Sequence, residues 1–336
     1  MKAWQLTAPT GVDALELTDL AEPKPALGQV LVRVRAASLN YRDLMVTSGR
    51  YGAGVPLPLI PLSDGAGEIA AVGAGVTKWK IGDRVTGTFF QNWQAGPIRK
   101  EAFETALGGS INGMLSEYVA LSAEGIIGIP SHLSFEEAAT LPCAALTAWH
   151  ALVADGKISA GQTVLVLGTG GVSIFALQFA KMHGARVIVT SSSDAKLARA
   201  KVLGADETIN YKTTPDWEKE VFRLTEKVGA DHIVEVGGTD TFPKSLRALA
   251  MGGTISVIGG VSGFTSDVPL RDILGKSALI RGIFVGSRDM FAAMNRAISQ
   301  HQLKPVIDRV FPFAEAQATY RYQESGVHFG KVLITV

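Results

Sequence analysis

The sequence predicts an α/β protein of two domains, one of which contains a doubly wound parallel sheet of six strands. Three observations predict this class. The chain has 336 residues, more than a single hydrophobic core usually serves. Its first 125 residues or so carry short alternating runs between glycines and prolines, which is typical of a β-rich domain. From about residue 160 onward, apolar strands and helices alternate, as in a parallel sheet that is covered on both faces.

The β-rich part is predicted from alternation of apolar and polar residues. It has one small helix, near Tyr41 to Val46, and strands at Val30–Ala36, Glu68–Val72 and Arg84–Thr86. Between Phe89 and Gly113 no period is clear, and a segment of this length is usually functional or disordered. Two interpretations of its aromatic residues stay open: they form a wall over a flat substrate, or they fill a small core under the loop. These residues are Phe89, Phe90 and Trp93.

The second part is predicted from continuous apolar runs that alternate with helical spacing. The expected strands are Thr163–Leu167, Arg186–Thr190, Glu207–Asn210, Asp231–Val236, Thr254–Ile258 and Ala278–Phe284. The expected helices are 172–180, Asp194–Leu203, Pro215–Lys227 and Phe242–Ala250. A tail helix, Arg288–Gln300, and a last strand, Lys331–Val336, are expected to return to the first domain. The predicted domains are therefore residues 1–127 with 285–336, and residues 128–284.

Composition excludes several classes of partner. With 32 basic and 31 acidic residues the net charge is +1, which gives no electrostatic case for a nucleic acid or an anionic membrane. The chain has one cysteine, Cys143, so no internal disulfide is expected and a reducing compartment is favoured. The N-terminus carries no apolar signal core, and no apolar run is long enough to span a bilayer. We therefore expect a cytoplasmic protein.

A glycine turn between the Thr163–Leu167 strand and the next helix predicts a dinucleotide site. The sequence of the turn is Gly168-Thr169-Gly170-Gly171-Val172, followed by Ser173 where the usual fingerprint has a third glycine. Glycines allow the backbone to approach a diphosphate, and the helix N-terminus offers N–H donors and a positive dipole end. Serine is small enough for close packing of the helix on the strand. We expect the pyrophosphate of a dinucleotide to bind at this turn.

The end of the next strand predicts which dinucleotide binds. NAD sites usually carry an acidic residue there, whereas NADP sites need neutral and basic groups for the 2′-phosphate. Here the strand runs into Ser191, Ser192 and Ser193, with Lys196 on the following helix. Asp194 is a counter-signal, but it can serve as a helix N-cap. NADP(H) is therefore favoured over NAD(H). Further strand ends are expected to enclose the ribose and nicotinamide: Gly237, Ile258, Gly259, Phe284 and Val285.

Four further motifs, together with the glycine turn, resemble the medium-chain dehydrogenase/reductase family. They are Ala36–Asp43, Gly65–Gly73, Lys80–Val85 and Leu141–Trp149. The resemblance runs nearly end to end. It implies a GroES-like β domain, residues 1–127 and 285–336, that carries catalytic groups, and a Rossmann domain, residues 128–284, that binds the dinucleotide.

The zinc ligands of the resembled family are mostly replaced in this sequence. Zinc-dependent members hold a catalytic zinc with a Cys, a His and a second Cys, and these positions correspond to Asn40, Ser63 and Cys143. One soft ligand cannot assemble a tetrahedral zinc site. The four-cysteine structural zinc loop of the family is absent as well. We therefore expect that no zinc is bound.

Within the family the Asn40-Tyr-Arg-Asp43 motif resembles the zinc-independent quinone oxidoreductase branch, which includes zeta-crystallin. That resemblance implies NADPH-dependent reduction of quinones or α,β-unsaturated carbonyls by a homodimer that pairs through the edge strand Ala278–Phe284. It implies catalytic roles for Asn40, for Asp43 as its positioning group and for Tyr51 at the edge of the cleft. The residues that it assigns to the cofactor are Lys196 and Tyr211 at the 2′-phosphate and Thr147 near the nicotinamide.

Alternative interpretations stay open. The chain could be an NAD(P)-dependent alcohol or aldehyde dehydrogenase that works without metal, or a non-catalytic NADPH-binding protein. For Asn40 and Asp43 the alternative to catalysis is a hydrogen-bonded turn at a helix start.

Overall fold

The structure is a computed structural model that describes residues 1–52 and 54–336. The chain divides into two compact units, which we call unit 1, Met1–Leu146 with Val285–Val336, and unit 2, Thr147–Phe284. None of the helices within the described ranges is both long and apolar enough to cross a membrane.

Unit 1 is mainly β-structure. Its strands are β1 (Lys2–Leu6), β2 (Leu15–Asp19), β3 (Gln29–Ser38), β4 (Asp64–Val72), β5 (Arg84–Gly87), β6 (Tyr118–Ser122), β7 (Ile126–Gly128), β14 (Ile307–Pro312) and β15 (Lys331–Thr335). Its helices are α1 (Tyr41–Thr47), α2 (Phe135–Ala139), α9 (Arg288–His301) and α10 (Ala316–Glu324), and 3-10 turns lie at Val12–Ala14, Lys100–Thr105 and Phe313–Glu315.

The large sheet of unit 1 has seven strands in the order β14-β15-β3-β4-β5-β7, with β6 paired to β3 as well. The last strand returns to the first part of the chain, as predicted: β15 pairs antiparallel with β3, with Leu333 opposite Ser38. Buried aliphatic side chains such as Val32, Ile69 and Val85 form its core. This pairing brings the start of β15 next to the end of β3 and the start of α1.

Unit 2 is the predicted doubly wound sheet. The six parallel strands have the order β10-β9-β8-β11-β12-β13. They are β8 (Thr163–Leu167), β9 (Arg186–Ser191), β10 (Glu207–Asn210), β11 (Ala230–Glu235), β12 (Leu249–Val257) and β13 (Leu279–Gly282). The helices between them are α4 (Gly171–Met182), α5 (Asp194–Val202), α6 (Trp217–Leu224), α7 (Phe242–Ala248) and α8 (Leu270–Lys276). The central strand β8 is buried from Val164 to Leu167, as expected of a parallel strand that is covered on both faces.

The first domain boundary differs from the predicted one. Residues 128–146 belong to unit 1 rather than to the nucleotide unit. The reason is packing, because Ala138 and Ala139 of α2 are buried against Ala36, Ala66 and Leu333 of the unit 1 sheet. The segment that follows is also not a plain α-helix. Leu141–Ala145 and His150–Ala154 are wound as π-helix on either side of one α-turn, α3 (Leu146–Trp149).

Candidate functional site

The glycine turn of unit 2 forms an open backbone cradle. Strand β8 ends at Leu167, Gly168 has a φ of +74°, and α4 begins at Gly171 with Gly170 as its N-cap. A Cβ atom added at Gly168 or at Gly170 would meet no atom within 4 Å, so the space above the turn is free. No side chain caps the helix start, which leaves its first N–H groups available to an anion. Of the predicted residues, Thr169 lies in this turn and Val172 in the first turn of α4. The cradle fits a dinucleotide diphosphate.

Ser173 ties the helix to the strand. Its side chain is 3% exposed, and its Oγ donates a hydrogen bond of 2.7 Å to the carbonyl oxygen of Leu167. The serine thus takes the place of the third glycine of the fingerprint, as predicted, and adds a hydrogen bond between α4 and the end of β8.

The predicted 2′-phosphate residues lie at the ends of β9 and β10. The backbone N–H of Tyr211 donates to the carbonyl oxygen of Ser191 at 3.1 Å, which fixes these two residues side by side. Tyr211 is exposed, whereas Ser192 and Lys196 are partly exposed. Hydroxyl groups and the ammonium of Lys196 therefore lie at this end of the sheet, a donor set that suits a phosphate.

The expected N-cap role of Asp194 is wrong. Ser193 is the N-cap of α5, and its Oγ accepts the backbone N–H of Lys196. Asp194 is the first residue of the helix, and its Oδ1 accepts a hydrogen bond of 2.7 Å from Nδ2 of Asn210. The carboxylate is therefore held by a neighbouring side chain rather than by the helix backbone.

The glycines after β11 have a local explanation that the sequence analysis missed. The buried carboxylate of Glu235 accepts the backbone N–H groups of Gly237 and Gly238 through Oε1, at 2.7 and 3.1 Å. A side chain at Gly237 would collide with Thr241, so packing alone requires this glycine. A role in cofactor binding stays a prediction for Gly237. It also stays a prediction for five residues elsewhere in the chain: Thr147, Ile258, Gly259, Phe284 and Val285.

Unit 1 contains a buried polar cluster, by which we mean Asn40, Arg42, Asp43, Ser63, Asp64, Cys143 and Lys331. Asn40 and Asp43 lie at the start of α1, where Oδ2 of Asp43 accepts the backbone N–H of Asn40 at 2.8 Å. Asn40 and Asp43 thus form the hydrogen-bonded helix start that is the alternative to a catalytic role. Asp43 therefore contacts the backbone of Asn40 and fixes the turn that carries the Asn40 side chain.

Arg42 connects the polar cluster to the Phe89–Gly113 segment. Its Nη1 donates to the carbonyl oxygens of Leu107 and Gly108, both at 3.0 Å, and lies 3.2 Å from Oδ1 of Asp43. The guanidinium carbon is 4.4 Å from the centre of the Tyr51 ring, a cation–π contact. Tyr51 is therefore half-buried and packs against the guanidinium of Arg42, which also binds the Phe89–Gly113 segment.

The aromatic residues of the long segment form a core. Phe89, Phe90 and Trp93 are all buried, and the ring centres of Phe89 and Phe90 are 4.6 Å apart. Phe90 also packs on Phe103 at 5.4 Å. Of the two interpretations left open, the structure supports the small core under the loop.

The three positions that correspond to zinc ligands in the family that the sequence resembles come together in unit 1. Ser63 Oγ donates to Oδ1 of Asp64 at 2.7 Å, and the backbone N–H of Cys143 donates to Oδ2 of Asp64 at 3.1 Å. Lys331, a residue that the sequence analysis did not single out, completes the arrangement. Its Nζ donates to Oδ1 of Asn40 at 2.6 Å and to the carbonyl oxygen of Leu39 at 2.5 Å.

Burial dominates the electrostatics of the polar cluster. It raises the pKa of Asp43 to about 6, against the opposing effect of the Arg42 charge. Burial also raises the pKa of Asp64, while the ammonium of Lys331 acts to lower it. The pKa of Lys331 is lowered by burial and raised in turn by Asp64. The pKa of the Cys143 thiol is raised far above its ordinary value by burial and by the Asp64 charge.

Zinc does not fit this set of residues. The Oδ1 atom of Asn40 is bound to an ammonium group, and the hydroxyl of Ser63 is used by Asp64. Cys143 is then the one thiol at these three positions, and a zinc site needs at least three protein donors. Across residues 1–52 and 54–336, no group of three or more His, Cys, Asp or Glu side chains is arranged to hold a metal ion.

Comparison with known proteins identifies both units. Residues 26–131 match the family described as alcohol dehydrogenase GroES-like domain, and residues 171–300 match the family described as zinc-binding dehydrogenase. Among solved structures, an NAD-dependent alcohol dehydrogenase superposes with a TM-score of 0.91 at 38% identity, covering 100% of both chains. A mycobacterial quinone oxidoreductase gives a TM-score of 0.83 at 26% identity, again with 100% of both chains covered.

Three curated relatives extend along nearly the whole chain. A zinc-type alcohol dehydrogenase-like protein of Schizosaccharomyces pombe is 47% identical over 334 residues, which cover 97% of this chain and 96% of that protein. An acryloyl-coenzyme A reductase of Metallosphaera sedula is 32% identical, with 95% of this chain and 96% of that protein covered. A 2-methylene-furan-3-one reductase of Solanum lycopersicum is 33% identical, with 99% and 79% covered. The chain therefore belongs to the medium-chain dehydrogenase/reductase superfamily and is an oxidoreductase of that superfamily.

Proposed function

We propose that the protein is a zinc-independent reductase that transfers a hydride from NADPH to a quinone or an α,β-unsaturated carbonyl compound. The observation that carries this proposal is the polar cluster, in which the Lys331 ammonium is bonded to Asn40 at a position where zinc-dependent members have a ligand. A site of this composition offers hydrogen-bond donors and fixed charges in place of a Lewis acid.

The chemistry of a conjugated acceptor matches such a site. NADPH, when bound, supplies a hydride that adds to the electron-poor carbon of the acceptor. The π electrons of the acceptor then move onto its carbonyl oxygen, and a proton from water or from a side chain such as Tyr51 completes the reduction. Because the negative charge is spread over the conjugated system, a hydrogen-bond donor can stabilise it without a metal. A simple alcohol or aldehyde would place that charge on one alkoxide oxygen. The site would then have to stabilise a localised negative charge, which a metal ion does better than a hydrogen-bond donor.

The relatives support the acceptor class in part. An acryloyl-coenzyme A reductase and a 2-methylene-furan-3-one reductase are both named for conjugated carbonyl substrates. The Schizosaccharomyces pombe relative is named as alcohol dehydrogenase-like, which favours the alternative function. Turnover of a panel of quinones, enones, aldehydes and alcohols with NADPH separates them. Reduction of enones or quinones supports the proposal, turnover of simple alcohols alone supports a dehydrogenase, and NADPH binding without any turnover supports a non-catalytic protein.

The cofactor preference rests on Ser191, Ser192, Lys196 and Tyr211 in unit 2. We expect Lys196→Ala to raise the Kd for NADPH by about tenfold or more, because a charge-assisted hydrogen bond contributes roughly 1.5–3 kcal/mol. The Kd for NADH should change by less than about twofold, since NADH has no 2′-phosphate. Both values can be measured by titration of cofactor fluorescence.

A matched control for this variant is Lys201→Ala on the same helix. The ammonium of Lys201 donates to the backbone carbonyl oxygen of Asp206. The family resemblance gives Lys201 no role in cofactor binding. It should leave both Kd values unchanged. Because one structural neighbour is named as NAD-dependent, the wild-type comparison is decisive: tighter binding of NADH than of NADPH would overturn the preference.

We also propose a homodimer that pairs through β13, the edge strand of the unit 2 sheet. Leu279 and Ile280 on this strand are exposed, as are Leu270 and Leu274 of α8, the helix that precedes it in the chain. An apolar strand with an unpaired edge is a site for pairing with a second copy.

Ile280→Lys is expected to convert this dimer into a monomer by placing a charge on the paired strand. The mass in solution can be measured by light scattering. Val202→Lys is the control, because Val202 is an exposed apolar residue on α5 and should leave the mass unchanged. A wild-type mass of 35.5 kDa would contradict the dimer.

A reducing compartment, such as the cytoplasm, is proposed from the single cysteine of the sequence, Cys143. Cell fractionation followed by detection of the protein would test it, and recovery from an oxidising compartment would contradict it.

A further inference from the structure

The orientation of the Asn40 side-chain amide is determined by Lys331. A lysine ammonium has only donors, so the Asn40 atom at 2.6 Å from Nζ must be the carbonyl oxygen Oδ1. The same ammonium also donates to the carbonyl oxygen of Leu39 and is therefore fixed at two points. Lys331 is 3% exposed, at the start of β15, which holds it beside the end of β3. The amide of Asn40 thus has one permitted orientation.

That orientation leaves a buried donor without a partner. The Nδ2 atom of Asn40 is buried, and it makes no hydrogen bond to any residue in the described part of the chain. The Asn40 side chain as a whole is only 9% exposed. Asn40 acts through a side-chain contact to lower the pKa of Asp64, so the amide lies beside that carboxylate, although its Nδ2 atom does not reach the geometry of a hydrogen bond. A buried unpaired N–H is destabilising by roughly 1–3 kcal/mol, and such a group in a native protein needs an explanation.

We infer that the Asn40 Nδ2–H group is the donor that binds the carbonyl oxygen of the acceptor, and that Lys331 is its positioning residue. Because the ammonium of Lys331 binds Oδ1, the Nδ2–H group lies on the opposite side of the amide. The inference rests on the proposed function. Asn40 then stabilises the oxygen on which negative charge develops during hydride addition, the task that zinc performs in other members. Lys331 does not touch the acceptor in this arrangement. It acts through Asn40.

The charges around the amide agree with this role. Arg42 and Lys331 face Asp43 and Asp64, so the two cations of the polar cluster are balanced by two carboxylates. A divalent cation would add charge next to an ammonium, whereas a neutral acceptor adds none until hydride arrives. A fixed donor aimed at the developing charge contributes about a hundredfold to a thousandfold in kcat in other enzymes.

Asn40→Asp isolates the donor. Aspartate has nearly the same shape and still accepts the hydrogen bond of Lys331, but it has no N–H group. With NADPH and an enone such as cyclohexenone, we expect kcat to fall by about a hundredfold or more. The KM for the enone should change by less than about threefold, because the donor acts mainly on charge that appears in the transition state. The Kd for NADPH should remain that of the wild type. The melting temperature should fall, because aspartate adds a third carboxyl to a buried cluster that holds two cations. Asn40→Ala, which adds no charge, must therefore show the same loss of kcat.

Lys331→Met and Lys331→Gln test the positioning role. Methionine removes the ammonium while keeping an apolar stem, and we expect kcat to fall by about tenfold or more. Glutamine restores a neutral donor to Oδ1 of Asn40 and should recover part of the loss, at least about threefold over methionine. In the Lys331→Met background, Asn40→Asp should have a smaller effect than in the wild type, because the amide is no longer oriented. Lys304→Met, which changes an exposed lysine of unit 1, is the control for the substitution itself.

The outcomes separate the inference from the proposed function. If the wild type reduces enones and Asn40→Asp is equally fast, the inference is wrong and the function stands. Equal losses in Lys331→Met and Lys331→Gln, or effects of the Asn40 and Lys331 changes that simply multiply, would remove the positioning role of Lys331. A wild type that binds NADPH but reduces no enone or quinone would overturn both. If Asn40→Asp fails to fold, Asn40→Ala, which also lacks the donor, must show the same loss of kcat.

Discussion

Replacement of Ser173 by phenylalanine is expected to weaken NADPH binding by about a hundredfold or more. Ser173 lies at the base of α4, is almost fully buried, and bonds the carbonyl oxygen of Leu167. A phenyl ring at this position must push the helix away from β8, and overpacking of this kind is destabilising by about 1–3 kcal/mol. Loss of the hydrogen bond adds roughly 1 kcal/mol. Because the helix start and the glycine turn move together, we expect the Kd for NADPH to rise by about a hundredfold or more.

Two smaller substitutions at the same position provide the controls. Ser173→Gly restores the third glycine of the fingerprint and should keep the Kd within about threefold of the wild type. Ser173→Ala removes only the hydrogen bond and should weaken binding by less than about tenfold. Fluorescence titration measures all three. Unchanged NADPH affinity in Ser173→Phe would show that the approach of α4 to β8 does not control the site.

Asp43→Asn is expected to change how stability depends on pH. Burial raises the pKa of Asp43 to about 6, from 3.8 in the unfolded chain. Below pH 3.8 the carboxyl is protonated in both states, so its ionisation has no effect on stability. As pH rises from 4 to 6 the unfolded chain ionises first, which favours unfolding of the wild type. Above pH 6 the difference levels off at about 3 kcal/mol, since one pKa unit corresponds to 1.36 kcal/mol.

The measurement is the free energy of unfolding of both proteins in denaturant at several values between pH 4 and 8. Asparagine keeps an oxygen that can accept the Asn40 N–H but cannot ionise. The free energy of unfolding of the wild type should therefore fall relative to that of Asp43→Asn as the pH rises across this range. Because Asp64 and Lys331 are present in both proteins, their contributions to the pH dependence cancel when one curve is subtracted from the other. A difference that is the same at every pH would show that Asp43 ionises in the folded protein as it does in water.

The sequence predicted the parts of the fold that depend on local pattern. Strand β8 could be located because a buried parallel strand is a continuous apolar run, and the glycine turn after it marks the start of α4. The division near residue 128 was harder to place. Ala138 and Ala139 have helical spacing, but their sequence does not tell which sheet they cover. The long segment after Phe89 could not be built either, because Arg42 fixes it through two backbone carbonyls distant in sequence.

The candidate site was only half visible. Asn40, Asp43 and Cys143 could be singled out because they stand in motifs of the family, whereas Lys331 stands in a short apolar strand. Its partner Asn40 is 291 residues away in the chain. One signal was available: Lys331 precedes Val332, Leu333 and Ile334, a continuous apolar run that is typical of a strand buried on both faces. A lysine in such a strand needs a partner of its own, and the structure identifies it.

Unit 2 is an insertion within unit 1, and the chain leaves and re-enters unit 1 at neighbouring points. A Cβ atom added to Gly286 would lie 2.7 Å from Cγ of Leu146. The segment in which the chain leaves unit 1 is therefore in contact with the segment in which it re-enters unit 1. Domains inserted in this way can often be excised, because their ends are close together. A short linker in place of residues 147–284 would keep β15 paired with β3 in a much smaller protein. In such a minimal domain the ionisation of Lys331, Asp43 and Asp64 could be followed by NMR, residue by residue, in the absence of any nucleotide site.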